Sequence, residues 1–299
     1  MDTRYVQSFV AVVECGSLAE AARRLNLTAA AIAARLRALE EDLGAQLVQR
    51  AGRSVKPTEA GLKILERARV VMREIRDIRA IANDDTPLGE LRLGVSSSVL
   101  TGLLSPVLHN FYAIHQKLAV FIEPGTSSRL YQNVLEGALD AAIIVEPQFS
   151  LSKEHVWRPL AEEPLIVLAP LHMAGRCPHE LLASEPFIRY DRSTWGGLLA
   201  DRYLRKHGLR PQQRLEIDGL MAIATMVLHG LGVSVIPDWA PDRIQQMGLA
   251  SISLPPPAPI RRMGLLWPSR SPHAQLVQSF YKEARMVLSH RDPSKRAGY

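Results

Sequence analysis

Cysteine is scarce in this chain of 299 residues, which contains only Cys15 and Cys177. Two distant cysteines exclude a disulfide framework and a cysteine-rich zinc site. We interpret both as reduced structural thiols, with a redox sensor as the alternative. The sequence also lacks GxSxG, HExxH, P-loop and Rossmann glycine motifs, and its histidines show no ligand-like pairing. We therefore expect no catalytic residue, no metal site and no cofactor, and keep a small-molecule transferase or hydrolase as the weaker alternative.

Long apolar runs are lacking too, so no membrane span and no membrane partner are predicted. The first residues, MDTRYVQSFVAVVECGS, have an acid at Asp2 and lack the basic start and apolar stretch of a secretory signal. We expect a cytoplasmic protein, which argues against a secreted solute-binding protein. Hydrophobic residues make up 47% of the chain, and that supply can fill the cores of two domains.

Positive charge is concentrated in one part of the chain. Residues 21–79 hold 13 Lys and Arg against 7 Asp and Glu, whereas residues 1–20 and 80–299 have net charges of −2 and +2. Such a basic window is typical of a surface that binds a polyanion. The alternative is an ordinary solvated helical face.

Two short helices joined by a tight turn are predicted at the start of this window, after an amphipathic helix over residues 3–14. Ser17 begins the first, with Glu20 placed for a capping box, and Thr28 begins the second. The buried stripe of the second helix is formed by Ile32, Leu36, Leu39 and Leu43. Its opposite face starts with small alanines, as in a helix-turn-helix that covers about residues 18–37.

A hairpin and a long helix are predicted next. Residues 46–50 and 54–56 alternate around an Ala-Gly-Arg turn, which indicates a short wing with Arg50 and Arg53 near its tip. From about residue 59 to 83, a heptad-like seam runs through Ile64, Ala68, Val71, Ile75, Ile78 and Ala82. We interpret this helix as a dimerising linker, and packing on its own domain is the alternative.

The first 65 residues resemble the DNA-binding domain of LysR-type transcriptional regulators in order and spacing, without a gap. The matching residues are Phe9, Glu14, Gly16, Ser17, Ala21, Ala22, Leu25, Ala31, Leu39, Glu40, Leu43, Gly44, Leu47, Arg50, Arg53, Thr58, Glu59, Ala60 and Gly61. The resemblance implies a homodimer through the linker helix and a homotetramer, with the choice between them left open. It also implies double-stranded promoter DNA as a partner and allows RNA polymerase as a further one.

The start of the reading helix departs from the usual pattern of that family. Thr28 and Ala29 replace a Ser-Gln pair, Ala33 and Ala34 replace a serine and a basic residue, and Val48 replaces a phenylalanine. Alanine cannot make a bidentate contact to a base edge, but it can touch a thymine methyl. We therefore expect more of the specificity to come from the wing, phosphate contacts and DNA shape. The expected DNA-contacting residues are Ser17, Thr28, Ala29, Ala30, Ala33, Ala34, Arg35, Arg37, Arg50 and Arg53.

Helices alternate with apolar strands after residue 90, which predicts an α/β fold with a largely parallel sheet. The phrases GALDAAII (137–144) and HGLGVSVIP (229–237) resemble those of the LysR effector domain, so a two-lobed, periplasmic-binding-protein-like fold is implied. The predicted domains are a winged helix-turn-helix at 1–58, a linker helix at 59–89 and an effector domain at 90–299. Its lobe I covers about 90–162 and 268–299, and its lobe II covers about 163–267.

A ligand is expected beyond the carboxyl ends of the strands, between the two lobes. The candidate residues follow predicted strands and are Ser96, Ser97, Ser98, Thr126, Arg189 and Asp191. The resemblance implies a small-molecule effector, and we expect an anionic group at the serine turn. The alternatives are N-caps for the hydroxyl residues, surface ion pairs for Arg189 and Arg192, and a packed lid for Trp195. A regulator gated by this effector is the function that the sequence favours.

Overall fold

The computed structural model describes residues 1–52, 54–82, 90–116, 118–271 and 273–289, which form two compact units, one N-terminal and one C-terminal. The elements of the N-terminal unit are α1 (Thr3–Cys15), α2 (Leu18–Arg24), α3 (Ala29–Leu43), β1 (Val48–Ala51), β2 (Ser54–Pro57) and α4 (Glu59–Ala82). The predicted helix-turn-helix, wing and long helix are therefore present. No helix of the described ranges is both long and apolar enough to cross a membrane.

Helix ends in the N-terminal unit follow the local sequence. Gly16 and Gly44 end α1 and α3 with left-handed backbone angles, and Thr28 caps α3 by accepting a hydrogen bond from the N–H of Ala31 at 3.1 Å. The capping-box prediction for α2 was wrong, because the side chain of Ser17 makes no capping hydrogen bond and Glu20 pairs with Arg23 instead.

The core of this unit lies where α1, α2 and α3 meet. Phe9, Ile32, Leu36 and Leu39 are buried in it as the periodicity predicts, but Leu43 is 43% exposed. Leu43 is the last residue of α3, so no further helical turn remains to cover it. The predicted stripe is therefore correct except at its end.

The wing is an antiparallel hairpin in which Arg50 lies opposite Val55. Its position is fixed by hydrogen bonds to both neighbouring helices. The N–H of Val55 donates to the carbonyl of Gly16 at 2.8 Å, and the carboxylate of Glu40 accepts from the N–H groups of Leu47 and Val48. These bonds hold the hairpin against the helix-turn-helix.

The long helix α4 approaches the wing at Gly61. A Cβ atom at this position would lie 2.0 Å from the carbonyl oxygen of Leu47, and that oxygen accepts a hydrogen bond from the N–H of Thr58. Only glycine allows this approach. Farther along α4, Leu65 and Ala68 are buried in the domain core, whereas Ile78 is 63% exposed.

The C-terminal unit is α/β, as predicted, but its sheets are mixed and not largely parallel, because the two long strands of the unit pair antiparallel with their neighbours. Its strands are β3 (Glu90–Val95), β4 (Ala119–Pro124), β5 (Ala141–Val145), β6 (His155–Pro170), β7 (Phe187–Tyr190), β8 (Gln213–Ile217), β9 (Ser234–Pro237), β10 (Leu249–Ser253) and β11 (Ile260–Pro268). Its α-helices are α5 (Ser97–Leu100), α6 (Leu104–Ile114), α7 (Ser127–Leu135), α8 (Pro178–Ser184), α9 (Trp195–Lys206), α10 (Leu220–Leu228), α11 (Pro241–Gln246) and α12 (Ala274–Ser289). A turn over residues 101–103 separates α5 from α6.

Two lobes share the long strands β6 and β11. In lobe I, β4, β3 and β5 are parallel neighbours and β11 joins them antiparallel. In lobe II, the second half of β6 pairs with β9 and β10. β7 pairs with β8 in parallel, and Phe187 of β7 forms an isolated bridge with Val233, the residue before β9. Because β6 and β11 are antiparallel neighbours that run between the lobes, side chains on them reach the space between the lobes.

Candidate nucleic-acid interface and effector cleft

The start of α3 forms the candidate nucleic-acid surface. Thr28, Ala29, Ala30 and Ala34 are exposed and Ala33 is half-buried, while the buried face of the helix holds it on the domain core. An exposed row of methyl groups on a rigid helix allows close approach to a groove without a steric barrier. Ser17, at the start of α2, is half-buried.

Positive groups near this surface fall into two classes. Arg23 and Arg24 on α2 are paired with Glu20 and Glu14. Arg37, Arg50 and Lys56 are exposed and take part in no ion pair within the described ranges; the Nε–H of Arg37 donates to the carbonyl of Ala33 at 3.4 Å. Cations without acidic partners can neutralise phosphates without first breaking an ion pair.

Two further candidates differ in their surroundings. Arg35 is half-buried on α3, and its charge contributes to the lowered pKa of Asp2, after the larger effects of hydrogen bonds from Arg4. Arg53, expected at the tip of the wing, lies outside the described residues. Its neighbour Gly52 has φ 63°, the left-handed angle that a tight hairpin turn requires.

A cleft between the two lobes of the C-terminal unit is the candidate effector site. It encloses about 350 Å³ of empty space, part of which is open to solvent. The lining residues are Ser96, Ser97, Ser98, Gly125, Thr126, Ser127, Val145, Tyr190, Thr194, Trp195, Gly196, Asp218, Leu220 and Arg261.

Hydroxyl groups dominate the lobe I wall of the cleft. The structure brings Ser96, Ser97, Ser98 and Thr126 together there, since β3 and β4 are parallel and end at the same edge. The hydroxyl of Ser96 does not cap α5, as the alternative required, and instead lies 3.3 Å from that of Ser98. Thr126 accepts a long capping bond from the N–H of Arg129 at 3.5 Å, and its hydroxyl lies 3.2 Å from that of Ser128. These hydroxyl groups therefore retain hydrogen-bonding capacity.

A buried arginine forms the floor of the cleft. Arg261, on β11, is only 2% exposed. Its Nε donates to Glu163 at 2.6 Å and its Nη2 reaches the hydroxyl of Ser98 at 3.4 Å. Burial acts to lower the pKa of Arg261, but Glu163 and Tyr190 outweigh it, so the pKa is raised and the guanidinium stays charged. The positive charge of Arg261 therefore lies at the floor of the cleft between the two lobes.

Tyr190 supplies a second polar group at this floor. Burial raises the pKa of its phenol, and hydrogen bonds link it to Thr194 and Arg261. The phenol is therefore a neutral donor at physiological pH. Gly196 permits this arrangement, because a Cβ there would lie 2.7 Å from the phenol oxygen.

Arg189 and Asp191 do not line the cleft, in contrast to the expectation from sequence. Arg189 lies 2.9 Å from Asp201 and donates to Gln213 at 2.6 Å, while Asp191 accepts hydrogen bonds from Ser193. For Arg189 the reason is strand alternation: Tyr190 lines the cleft, so the residue before it in β7 points to the other face. Asp191 lies beyond the end of β7.

The arginine that follows these residues behaves as the alternative interpretation proposed. Arg192 forms an ion pair with Glu216 at 2.8 Å, and its hydrogen bonds lower the pKa of Glu216 to about 2. This pair joins the loop after β7 to β8. It contributes to the wall of lobe II and not to the cleft.

Trp195 closes one side of the cleft with two aromatic residues of lobe I. Its ring lies 6.0 Å from that of Tyr131 and 5.7 Å from that of Phe149, in tilted and edge-on arrangements. The packed-lid interpretation agrees with these contacts, and the same residue also lines the cleft.

Family comparisons match both units. A sequence model described as "Bacterial regulatory helix-turn-helix protein, lysR family" matches residues 3–62, and one described as "LysR substrate binding domain" matches residues 84–289. The chain belongs to the LysR family. As a member it is a DNA-binding transcriptional regulator with an effector-binding domain, and the resemblance noted from sequence is confirmed.

Relatives of this LysR regulator cover nearly all of its length. It is 28% identical over 293 residues to the uncharacterized HTH-type transcriptional regulator YnfL of Escherichia coli (strain K12), covering 94% of this chain and 96% of YnfL. It is 26% identical over 252 residues to the HTH-type transcriptional regulator CzcR of Bacillus cereus, covering 83% of this chain and 84% of CzcR.

Solved structures of the same fold include a single-substitution variant of full-length OxyR from Pseudomonas aeruginosa, with a TM-score of 0.72, 21% identity and 97% coverage of both chains. Another is full-length CbnR complexed with its target DNA, with a TM-score of 0.68, 21% identity and coverage of 96% of this chain and 100% of CbnR. At these identities the likeness establishes the fold, including the two-lobed domain.

Several cleft residues of this LysR regulator could not be found from sequence order alone. Arg261 pairs across strands with Glu163, which is 98 residues away, and no local pattern indicates that pairing. One local signal is the Gly-Gly pair in WGG (195–197). A Cβ atom at Gly197 would lie 1.9 Å from the carbonyl oxygen of Asp191, so glycine is needed for α9 to start this close to that carbonyl. Asp218 and Leu220 follow β8, a strand that the apolar pattern did not reveal.

Proposed function

We propose that this regulator binds promoter DNA through α3 and the wing, and that a small molecule in the interlobe cleft controls that binding. The observation that carries the proposal is the pairing of two features in one chain: exposed, unpaired cations beside a small-residue helix start, and a separate cleft lined by hydroxyl groups and a buried arginine. Its role is regulation rather than catalysis, in the cytoplasm, where promoter DNA is found.

Effector gating is proposed to work through the lobes. Besides the contact between Arg261 and Ser98, Arg243 of lobe II donates to the carbonyl of Thr101 in lobe I at 2.8 Å. A ligand that contacts both walls would favour one relative lobe position over others. An anionic group is proposed to lie at the hydroxyl wall near Arg261, because Arg261 lines the cleft and Arg189 does not.

The DNA-binding part of the proposal is tested with Arg37→Ala and Arg50→Ala. Each is expected to weaken binding to a fragment that flanks the coding region and to lower the slope of log K against log salt by about one unit for each phosphate that the variant no longer neutralises. The measurement is fluorescence anisotropy from about 50 to about 300 mM salt, a range over which counterion release dominates the change in affinity.

Arg129→Ala is the matched control, because Arg129 is an exposed arginine of the C-terminal unit paired with Glu123. It makes the same change in net charge and should leave the slope unchanged. If Arg37→Ala and Arg50→Ala behave like Arg129→Ala at every salt concentration, the proposed docking of α3 and the wing is wrong.

Dimerisation is proposed to use the second half of α4. The first part of the predicted seam packs on its own domain, with Ala68 buried and Ile64 against the core, whereas Ile78 is 63% exposed. We expect Ile78→Asp to weaken self-association by at least about tenfold, because a carboxylate buried in an interface costs several kcal/mol unless it is paired. Sedimentation equilibrium measures the dissociation constant.

Leu62→Asp serves as the control for this variant. Leu62 is 57% exposed on the same helix, about 160° away around the axis at about 100° per residue. It should leave the dissociation constant unchanged. Equal dissociation constants for the parent and Ile78→Asp would contradict the proposed dimer interface on α4.

A further inference from the structure

The charge around the effector cleft does not match a purely anionic ligand. Arg261 and Asp218 are the charged residues that line it. Arg261 is already balanced by Glu163, with a 2.5 Å contact between Nη2 and the carboxylate. The pKa of Asp238 is raised, first by burial and then by the negative charge of Glu163. The cleft therefore offers hydrogen-bond donors to an anion, but no excess of positive charge.

Asp218 is the unused charge of the cleft. It lies in the segment between β8 and α10, on the lobe II wall, and its carboxylate is exposed. Within the described ranges it takes part in no ion pair, and it accepts a hydrogen bond from the N–H of Gly219 at 2.7 Å. A carboxylate with a free oxygen in a cleft repels an anion and attracts an ammonium group.

The two charged ends lie within reach of one small molecule. Both line the same cleft as Tyr190, and Tyr190 lies opposite Ile217, the residue before Asp218, in the pairing of β7 with β8. The lining also includes the apolar residues Val145, Trp195 and Leu220, which suit a short carbon skeleton.

We propose that the effector is a small zwitterion of the α-amino acid class, with its carboxylate at Ser98, Arg261 and the neighbouring hydroxyl groups and its ammonium at Asp218. This inference rests on the proposed use of the cleft as the effector site. It adds a cationic group to the ligand and assigns its recognition to a residue of lobe II. A zwitterion bound in this way contacts both lobes at once, which is the requirement for controlling their relative position.

The test compares matched compounds on the full-length chain by isothermal titration calorimetry. The probes are the common L-α-amino acids, the corresponding carboxylic acids without the amino group, and the corresponding amines without the carboxylate. At least one amino acid should bind, and its two matched partners should bind at least about tenfold more weakly, since each loses hydrogen bonds to a charged group.

Asp218→Asn identifies the residue responsible. Asparagine keeps a carbonyl acceptor for Gly219 but removes the charge, so we expect the affinity for the amino acid to fall by about tenfold or more and the affinity for the carboxylic acid to stay within about threefold. Asp242→Asn, an exposed acidic residue of α11 outside the cleft, should change neither affinity.

A gel-shift assay on the flanking DNA accompanies each titration and separates the two ways in which the account can fail. Carboxylic acids that bind as well as amino acids, an indifferent Asp218→Asn, or no binding by any probe would overturn the zwitterion inference even while DNA binding persists. Failure of the parent to bind the DNA specifically would overturn the proposed function instead.

Discussion

Gly61→Ala is expected to abolish specific DNA binding at concentrations where the parent is saturated. The added Cβ would lie 2.0 Å from the carbonyl oxygen of Leu47 and 3.3 Å from the Cβ of Pro57. Since the first contact is with backbone, α4 or the wing must move, and the hydrogen bond from Thr58 to Leu47 is broken. We expect the N-terminal unit to lose roughly 3 kcal/mol of stability, the range for overpacking against fixed structure. Thermal unfolding and anisotropy with flanking DNA measure the two effects.

Gly102→Ala is the control for this substitution. The same methyl group there meets only the carbonyl of Ser98, at 3.6 Å, which is an ordinary contact. DNA affinity should stay within about twofold of the parent. A Gly61→Ala protein that binds DNA as tightly as Gly102→Ala would show that the close approach of α4 to the wing is not required.

Arg261→Met is expected to destabilise the C-terminal unit by about 3–5 kcal/mol, because it leaves the carboxylate of Glu163 buried without its partner. Arg261 is 2% and Glu163 14% exposed in their side chains. The double variant Arg261→Met with Glu163→Gln should recover most of this stability, since the uncompensated charge is gone. Urea unfolding followed by circular dichroism gives both free energies.

The next residue pair along β6 and β11, Arg262 and Glu162, provides a matched control. Arg262 pairs with Glu162 one position along, but these side chains are 50% and 58% exposed. Arg262→Met should therefore cost about 0–1 kcal/mol. Similar destabilisation by Arg261→Met and Arg262→Met, with no recovery in the double variant, would contradict the assignment of Arg261 as the buried cation of the cleft.

Sequence alone predicted the N-terminal unit well because its signals are local. The stripe of Ile32, Leu36 and Leu39 sets the buried face of α3, and Thr28 and Gly44 mark its ends within the same helix. The exceptions also have local causes. Leu43 lacks a following turn to cover it, and Glu20 found a basic partner one turn away in Arg23 instead of the backbone of Ser17.

Sequence predicted the residues that line the cleft only where the order and direction of the strands determine their position. Ser96 and Thr126 meet because parallel strands end at one edge, which follows from the α/β pattern. Which of Arg189 and Tyr190 points inward depends on strand register, and a shift of one residue reverses the answer. Arg261 depends on a pairing between distant strands, for which periodicity carries no information.

The most direct test of the central claim is a competition gel shift with the full-length chain. The probes are DNA that flanks its own coding region and a shuffled fragment of the same length and base composition, at physiological salt. We predict that the flanking fragment binds at least about 10³-fold more tightly, the lower end of the range for specific regulators. Equal affinity for the two fragments across the salt range, or no complex with either, would contradict the account.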